Sequence, residues 1–311
     1  MPQEPAPSTA RSLLCTRESI LMGWRGSIRR VFDAAQTAPS GVPKPFRTER
    51  PALRTRRQLL ADRENAEKLS DRARSAGDAL TFANYMLLIR SLHEDAYAPL
   101  NWKELVAAPP PSRDDGNYSS KVAEWEWHQR IGPGVLSGTR QAYLKVLDWA
   151  LPFEELEALG TGVRATSADG RSVEAFAHLR DPELVPRSEP RLEPHGGFRW
   201  EKVSTSRYWR LYREHICSTA IRIARELLAL LPANTVFVHV ARRDRTTSPR
   251  RVNIAPIVSV EFKRSALLAL DFERLSAAHA IAEFPHNMNF GEATGFSEVE
   301  LLSPPADAPS A

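Results

Sequence analysis

The feature that most constrains the fold is a long amphipathic helix, which the spacing of apolar residues predicts over 207–231. The residues of its apolar stripe follow one another at three or four positions, the period of one helix face: Tyr212, Ile216, Ala220, Ile223, Leu227 and Leu231. Ser204 and Ser206 suit its start, and Pro232 and Asn234 end it. Two β-rich runs, TVFVHVA and VNIAPIVSVEF, follow directly. We therefore expect the apolar stripe to pack on a sheet.

Helix patterns dominate the chain before Gly160, and strand patterns dominate after it. VRATSADGRSVEAFAHL and RLEPHGGFRWEKV indicate two hairpins, whereas FPHNMNFGEATGF reads as a loop. The two β-rich runs are joined by the loop RRDRTTSPRR, which is short for a parallel crossover, so they should pair antiparallel with residue 241 opposite residue 253. The predicted class is α+β: a helical N-terminal half followed by an antiparallel sheet packed on one long helix.

Composition divides the chain into five segments. We expect a disordered leader, a basic helical arm, a helical region, an α+β domain and a disordered tail, at 1–21, 22–75, 76–160, 161–300 and 301–311. The stretch ILMGWRGSIRR also raises the hypothesis that the natural start is Met22 and that the leader is not translated.

The arm carries the positive charge of the chain. Residues 22–74 hold 13 lysines and arginines against 6 acids, a net +7, so 75–311 carries −3 of the total +4. Such an arm favours nucleic acid, an anionic lipid surface or an acidic protein as partner. Residues 22–35 form a basic amphipathic stretch that suits either a membrane surface or packing on the protein itself.

A homo-oligomer through the arm is a further alternative. The long polar helix predicted from Pro51 to Ser75 has apolar residues at a seven-residue spacing: Leu53 and Leu60, and Leu59, Ala66 and Ala73. This series is too sparse to establish a coiled coil, but it leaves self-assembly through the helix open.

Cysteine usage and hydropathy indicate a soluble, cytoplasmic protein. The two cysteines, Cys15 and Cys217, are too few for a disulfide framework. No apolar run reaches the roughly 18 residues of a membrane span. The eight histidines show no metal-ligand spacing, and no glycine-rich phosphate loop is present, so we expect neither a metal nor a cofactor.

Two groups of arginines are candidate anion-binding sites. The loop between the β-rich runs holds five arginines against one acid: Arg242, Arg243, Arg245, Arg250 and Arg251. Guanidinium groups bind phosphates, although a solvated hairpin tip is the alternative. At the start of the long helix, Arg207 and Arg210 accompany serine hydroxyls and free N–H groups, which suits an anion; plain serine capping is the alternative. Because cations in a first turn oppose the helix dipole, we expect a compensating group.

Glu261 and Lys263 resemble half of a metal-dependent nuclease site. Residues two apart share a strand face, but such enzymes need a second carboxylate at the same ion. The nearest upstream acid, Asp244, belongs to the loop end of the predicted hairpin, about 30 Å away along the strands. The pair therefore does not by itself predict catalysis, but a more distant acid such as Asp181 or Glu201 would complete the site.

Three segments resemble a group of uncharacterised bacterial proteins: NYMLLIRSLHEDAYAPLNWKELVAAPPP, SRYWRLYREHICSTAIRIARELLALLP and LSAAHAIAEFPHNMNFGEATGF. The resemblance covers roughly Phe82 to Val299. It implies a bacterial source and a shared architecture, with a basic helical N-terminus and a C-terminal α+β region. It implies no catalytic residues.

The function that the sequence favours is binding or assembly without catalysis. The basic arm and the arginine-rich loop would contact nucleic acid or an acidic protein partner. One alternative is a metal-dependent nuclease or phosphodiesterase that uses Glu261 and Lys263. A second alternative is a self-assembling structural protein.

Overall fold

In the computed structural model, helices come first along the chain and strands follow around one long helix. The structure describes residues 76–114, 116–167, 170–179, 184–194, 198–244 and 253–303. The chain divides into Met1–Val42 and Pro43–Ala311, and every described residue belongs to the second unit. The predicted leader (1–21), the whole of the predicted arm (22–75) and residues 304–311 of the predicted tail therefore lie outside the described residues.

The helical region contains five helices and one short 3-10 turn among the described residues. The helices are α1 (Ala76–Arg90), α2 (Trp102–Ala107), α3 (Tyr118–Leu136), α4 (Arg140–Ala150) and α5 (Glu154–Ala158), and the turn is Leu92–Glu94. Asn101 caps α2, because its side chain accepts the N–H of Glu104 at 3.4 Å. The described part of the chain has no helix that is both long and apolar enough to cross a membrane.

The described residues of the second region form eight strands and three further helices. In chain order they are β1 (Thr161–Thr166), β2 (Ser172–Leu179), β3 (Ser188–Leu192), β4 (Phe198–Lys202), α6 (Thr205–Leu230), β5 (Thr235–Asp244), β6 (Asn253–Lys263), α7 (Arg264–Leu268), α8 (Ala277–Ile281), β7 (His286–Gly291) and β8 (Gly295–Ser297). Both predicted hairpins are present, as β1–β2 and β3–β4.

Helix α6 occupies the position that the apolar stripe predicted. All six stripe residues are buried, and α6 packs on β5 and β2. On the facing side of the sheet, alternate residues of the central strands are fully buried: Val236, Val238, Val240, Val258, Val260 and Phe262. The guanidinium of Arg264 donates to the carbonyl of Ala233 at 2.8 Å, just beyond the end of α6. The predicted α+β class, with a long helix on a sheet, is confirmed.

The sheet is mixed, which corrects the antiparallel sheet that the sequence predicted. Its strand order is β1-β2-β5-β6-β7-β8. Four of the pairs are antiparallel, but β2 and β5 run parallel, with Ala175 opposite Val238. A parallel pair needs a long crossover, and the chain between β2 and β5 supplies one, since it contains the β3–β4 hairpin and α6.

The segment FPHNMNFGEATGF forms the hairpin β7–β8, so the prediction of a loop was wrong. Strand β7 extends the sheet, with His286 opposite Val260 and Asn287 opposite Ser259. At the turn, Gly295 has φ +79°, and a Cβ there would lie 2.7 Å from the ring of Trp209. The strand was not recognised in the sequence because it is short and only half-buried and contains polar asparagines, which are uncommon in strands.

The helical region packs on α6. The backbone N–H of Leu100 donates to the carbonyl of Ala229, and the indole N–H of Trp102 donates to that of Leu230 at 2.7 Å. Trp102 belongs to an aromatic cluster with Trp127, His128 and Trp149, in which the Trp127 and Trp149 ring centroids are 4.2 Å apart. The helical region and the sheet therefore share α6 as a common core element.

Candidate functional site

The arginine-rich loop is the connection between β5 and β6. Pairing runs from Thr235 opposite Lys263 to Asp244 opposite Asn253, which agrees with the expected antiparallel hairpin. The predicted register was wrong, because Ala241 pairs with Pro256 rather than with residue 253 and the pairing shifts at Val240/Ala241. Both ends of the connection therefore lie at the same end of the sheet.

The arginines of this connection, 242–251, are described only in part. We call this segment the basic tip. Arg242 is half-buried in β5, between Leu179 of β2 and Ala255 of β6. Arg245, Arg250 and Arg251 lie outside the described residues, as does the side chain of Arg243.

At the start of α6, Arg207 binds a carboxylate of the protein itself. Its Nε and Nη2 atoms lie 2.8 and 2.7 Å from Oε2 of Glu189, a β3 residue that is 8% exposed. Ser204 caps the helix by accepting the N–H of Arg207. Glu189 is thus the compensating group expected for a cation in the first turn. Arg210 is exposed to solvent.

The β3–β4 hairpin carries an ionic ladder around Glu189. Arg191 lies 3.3 Å from Glu189 and 3.6 Å from Glu201, and Arg199 also contacts Glu201. Glu201, one of the distant acids considered for a metal site, is therefore paired with two arginines.

Glu261 and Lys263 share one face of β6, as their spacing predicted. Glu261 is opposite Phe237 and half-exposed, whereas Lys263 is opposite Thr235 and exposed. Asp244 pairs with Asn253, eight positions from Glu261, which is about 26 Å along the strand. Asp181 lies outside the described residues. Within the described ranges, no group of three His, Cys, Asp or Glu side chains could hold a metal ion.

The same face of the sheet carries a hydrogen-bonded relay that sequence reasoning missed. Glu174 of β2, His239 of β5 and Ser259 of β6 come from three neighbouring strands. His239 Nδ1 is 2.9 Å from Ser259 Oγ, and its Nε2 is 3.2 Å from Glu174 Oε1. The ring of Phe176 lies beside that of His239, with centroids 4.7 Å apart.

The relay has the composition of a hydrolase triad but not its accessibility. Ser259 and His239 are at most 1% exposed, and Ser259 Oγ also accepts the backbone N–H of Leu302 at 2.9 Å. Burial lowers the pKa of His239, and the Glu174 carboxylate opposes that shift. A neutral imidazole can accept from Ser259 and donate to Glu174. Through its bond to Ser259, the backbone of Leu302 is held beside β6.

A second cluster missed by sequence reasoning lies on α6. Arg222, 2% exposed, is 2.7 Å from Glu226, 3.3 Å from Glu155 and 3.9 Å from Asp95. Glu226 accepts the backbone N–H of Tyr97 at 2.9 Å. The cluster thus joins α6 to α5 and to the segment that follows α1. The available signal was the i,i+4 spacing of Arg222 and Glu226 within an otherwise apolar run.

Two further titratable groups, His215 and Cys217, are buried on α6. Burial lowers the pKa of His215 to about 4, and its Nδ1–H donates to the carbonyl of Ile89 at 2.9 Å. Burial raises the pKa of the Cys217 thiol to about 12, which leaves no reactive thiolate at neutral pH. Neither group is placed for chemistry on a solvent-borne substrate.

Comparisons with protein-family models, with curated proteins and with solved structures found no significant match to this chain. The resemblance to a group of bacterial proteins therefore stays a prediction. The functional argument rests on the charges and contacts of the chain itself.

Proposed function

We propose that the protein binds nucleic acid through the basic tip, 242–251, together with the basic segment 22–74. The observation that carries the proposal is the pairing of β5 with β6 out to Asp244 and Asn253. This pairing supports a cluster of guanidinium groups, because it brings both ends of a segment with five arginines to one end of a rigid sheet. Arginine clusters bind phosphates strongly.

The charge of the remaining chain supports contact at the tip. Segment 242–251 carries five arginines and one aspartate, a net +4, while 75–311 as a whole carries −3. The rest of 75–311 therefore carries −7. The net negative charge of the rest of 75–311 repels a polyanion, whereas the two basic segments attract it. The electrostatic field of the protein therefore favours approach of a polyanion to the basic tip.

A nucleic acid fits two separate basic segments better than a small anion does. Its phosphates repeat along the chain, so one molecule can contact the tip and residues 22–74 together, and each contact releases counterions. The anion position beside Arg207 does not contribute to this proposal, because Glu189 is bound there.

The test is fluorescence anisotropy of labelled single- and double-stranded DNA and RNA at several salt concentrations. Replacing Arg243, Arg245, Arg250 and Arg251 with alanine should weaken binding and reduce the slope of log K against log salt by about 3. The matched control replaces four exposed arginines elsewhere and changes the net charge equally: Arg113, Arg140, Arg164 and Arg274. It should bind as the wild type does.

Each other outcome counts against the proposal. If no nucleic acid binds at low salt, nucleic acid is excluded as the ligand. Binding of an acidic polypeptide instead identifies a protein partner. Equal losses of nucleic-acid affinity in the tip and control variants would show that binding depends on net charge and not on the basic tip. Mg²⁺-dependent cleavage that is lost in Glu261→Gln supports the nuclease alternative.

A further inference from the structure

We infer that the outer face of α1 is an interface with a second copy of this chain. We define the outer face by Leu80, Ala83 and Leu87, which lie on one side of the helix at three- and four-residue spacing. Leu80 is 63% exposed and Leu87 is 64% exposed. Leucines with most of their surface in water are costly, at about 25 cal/mol per Å² of apolar area.

The opposite side of α1 already packs on its own protein. The ring of Phe82 meets that of Trp200 edge to face, with centroids 5.5 Å apart, and the Tyr85 hydroxyl donates to the carbonyl of Leu184 at 2.6 Å. Ile89 is fully buried. Rotating α1 to bury the outer face would break these contacts of the inner face.

Helix α1 has few polar residues for a helix with an exposed side, and from Ala79 to Ile89 they are Thr81, Asn84 and Tyr85. Between Asp78 and Arg90 the sequence has no charged residue. Large apolar side chains that are grouped on one exposed helix face are normally covered by a partner. The outer face is thus a surface whose composition fits burial rather than solvent.

The sequence continues the spacing of the outer face towards the N-terminus and indicates what covers it. The seven-residue series of Leu59, Ala66 and Ala73 passes without a break into Leu80 and Leu87. A parallel series lies three positions later: Leu69, Ala76 and Ala83. Apolar residues at both positions of a heptad are typical of paired helices, and a flat partner or a membrane would not impose a seven-residue repeat.

A second copy of the chain fits this heptad pattern, because both copies carry the same series of apolar residues. In a parallel pair related by a twofold axis, each leucine meets its counterpart and the patch is its own complement. Leu80 and Leu87 lie outside both basic segments, 22–74 and 242–251, so substituting them tests the interface without changing the residues proposed to bind nucleic acid.

The first test is sedimentation equilibrium of the full chain at tens of micromolar. We expect twice the chain mass for the wild type and the monomer mass for Leu80→Asp/Leu87→Asp. The matched control, Leu192→Asp/Leu268→Asp, changes leucines that are 70% and 51% exposed and should remain dimeric. A monomeric wild type, or a dimer that survives the α1 substitutions, would overturn the inference.

A second test avoids variants that fail to fold. In a Cys15→Ser background, Leu80→Cys and Leu87→Cys should each be joined to the second copy by a short bismaleimide, because equal positions meet across a parallel seam. Cys217 is fully buried and should not react. Leu268→Cys is the control and should stay unlinked; if the α1 cysteines link no better than it does, the inference is wrong.

Discussion

Arg222 and Glu226 form an ion pair inside the molecule, one turn apart on α6. The Nη2 atom of Arg222 is 2.7 Å from Oε1 of Glu226, and neither side chain is more than 2% exposed. The second oxygen of Glu226 accepts the N–H of Tyr97, so the pair also fixes the segment after α1. The buried charge therefore stabilises the contact between α6 and the helical region.

Arg222→Met should lower the free energy of unfolding by about 3 to 5 kcal/mol, because it leaves buried carboxylates without their counterion. Urea unfolding at neutral pH measures the loss. The double variant Arg222→Met/Glu226→Gln should lose less than the sum of the single losses, since it removes both charges. Arg274→Met, at an 89% exposed side chain, is the control and should change stability by less than about 0.5 kcal/mol. Strict additivity would contradict the coupling.

His215 should make the protein less stable as the pH falls below 6.5. Its folded-state pKa of about 4 lies below the ordinary value of 6.5, so between these pH values only the unfolded chain binds the proton. Well above pH 6.5 the imidazole is neutral in both states and contributes no pH dependence. The free energy of unfolding should therefore fall by about 2 kcal/mol from this residue between pH 6.5 and 5.

The variant His215→Asn isolates this contribution. Its amide can still donate to the carbonyl of Ile89, but it does not titrate. Denaturant unfolding at pH 7 and pH 5 should show a smaller loss for the variant than for the wild type. Equal losses would show that His215 is protonated without cost in the folded protein.

Gly170→Ala should destabilise the β1–β2 hairpin and its contact with the helical region. Gly170 has φ +70°, and a Cβ there would lie 2.2 Å from the carbonyl oxygen of Gly138. The left-handed backbone and the clash together should cost about 2 to 4 kcal/mol in thermal or urea unfolding. At Gly116 nothing lies within 4 Å of the added Cβ, so Gly116→Ala is the matched control and should be nearly neutral.

Glu189→Ala should open an anion site at the start of α6. Loss of the carboxylate removes two charge-assisted contacts to Arg207 and should cost about 1 to 3 kcal/mol. Inorganic phosphate should then raise the melting temperature of the variant more than that of the wild type. Glu201→Ala, which removes a more exposed carboxylate of the same ladder, should gain no such response.

The individual helices and strands were largely predictable from the sequence, because they follow from the spacing of apolar residues and from the turn and capping residues between them. The stripe from Tyr212 to Leu231 predicted α6 to within two residues at its start, and both hairpins before it were placed. Strand β7 was missed because its asparagines give neither β-branched residues nor alternation. The parallel pairing of β2 with β5 was missed because it depends on which strand of the sheet the chain meets after it leaves α6.

The candidate sites were predictable only where they are local. The sequence identified the basic tip and the Glu261–Lys263 spacing, since each is contiguous. It could not identify Glu189 as the partner of Arg207, nor the relay of Glu174, His239 and Ser259, because these groups meet only after strands from distant segments pair.

The sequence by itself determined the α+β class, the long helix, the hairpins and the unequal distribution of charge, because period, turn residues and charge are properties of neighbouring positions. Only the tertiary structure decided that the cation at the start of α6 is neutralised from β3, that Arg222 is buried among carboxylates, and that Leu80 and Leu87 face solvent. These outcomes depend on which surfaces meet, and a side chain acquires its partners and its burial only when they do.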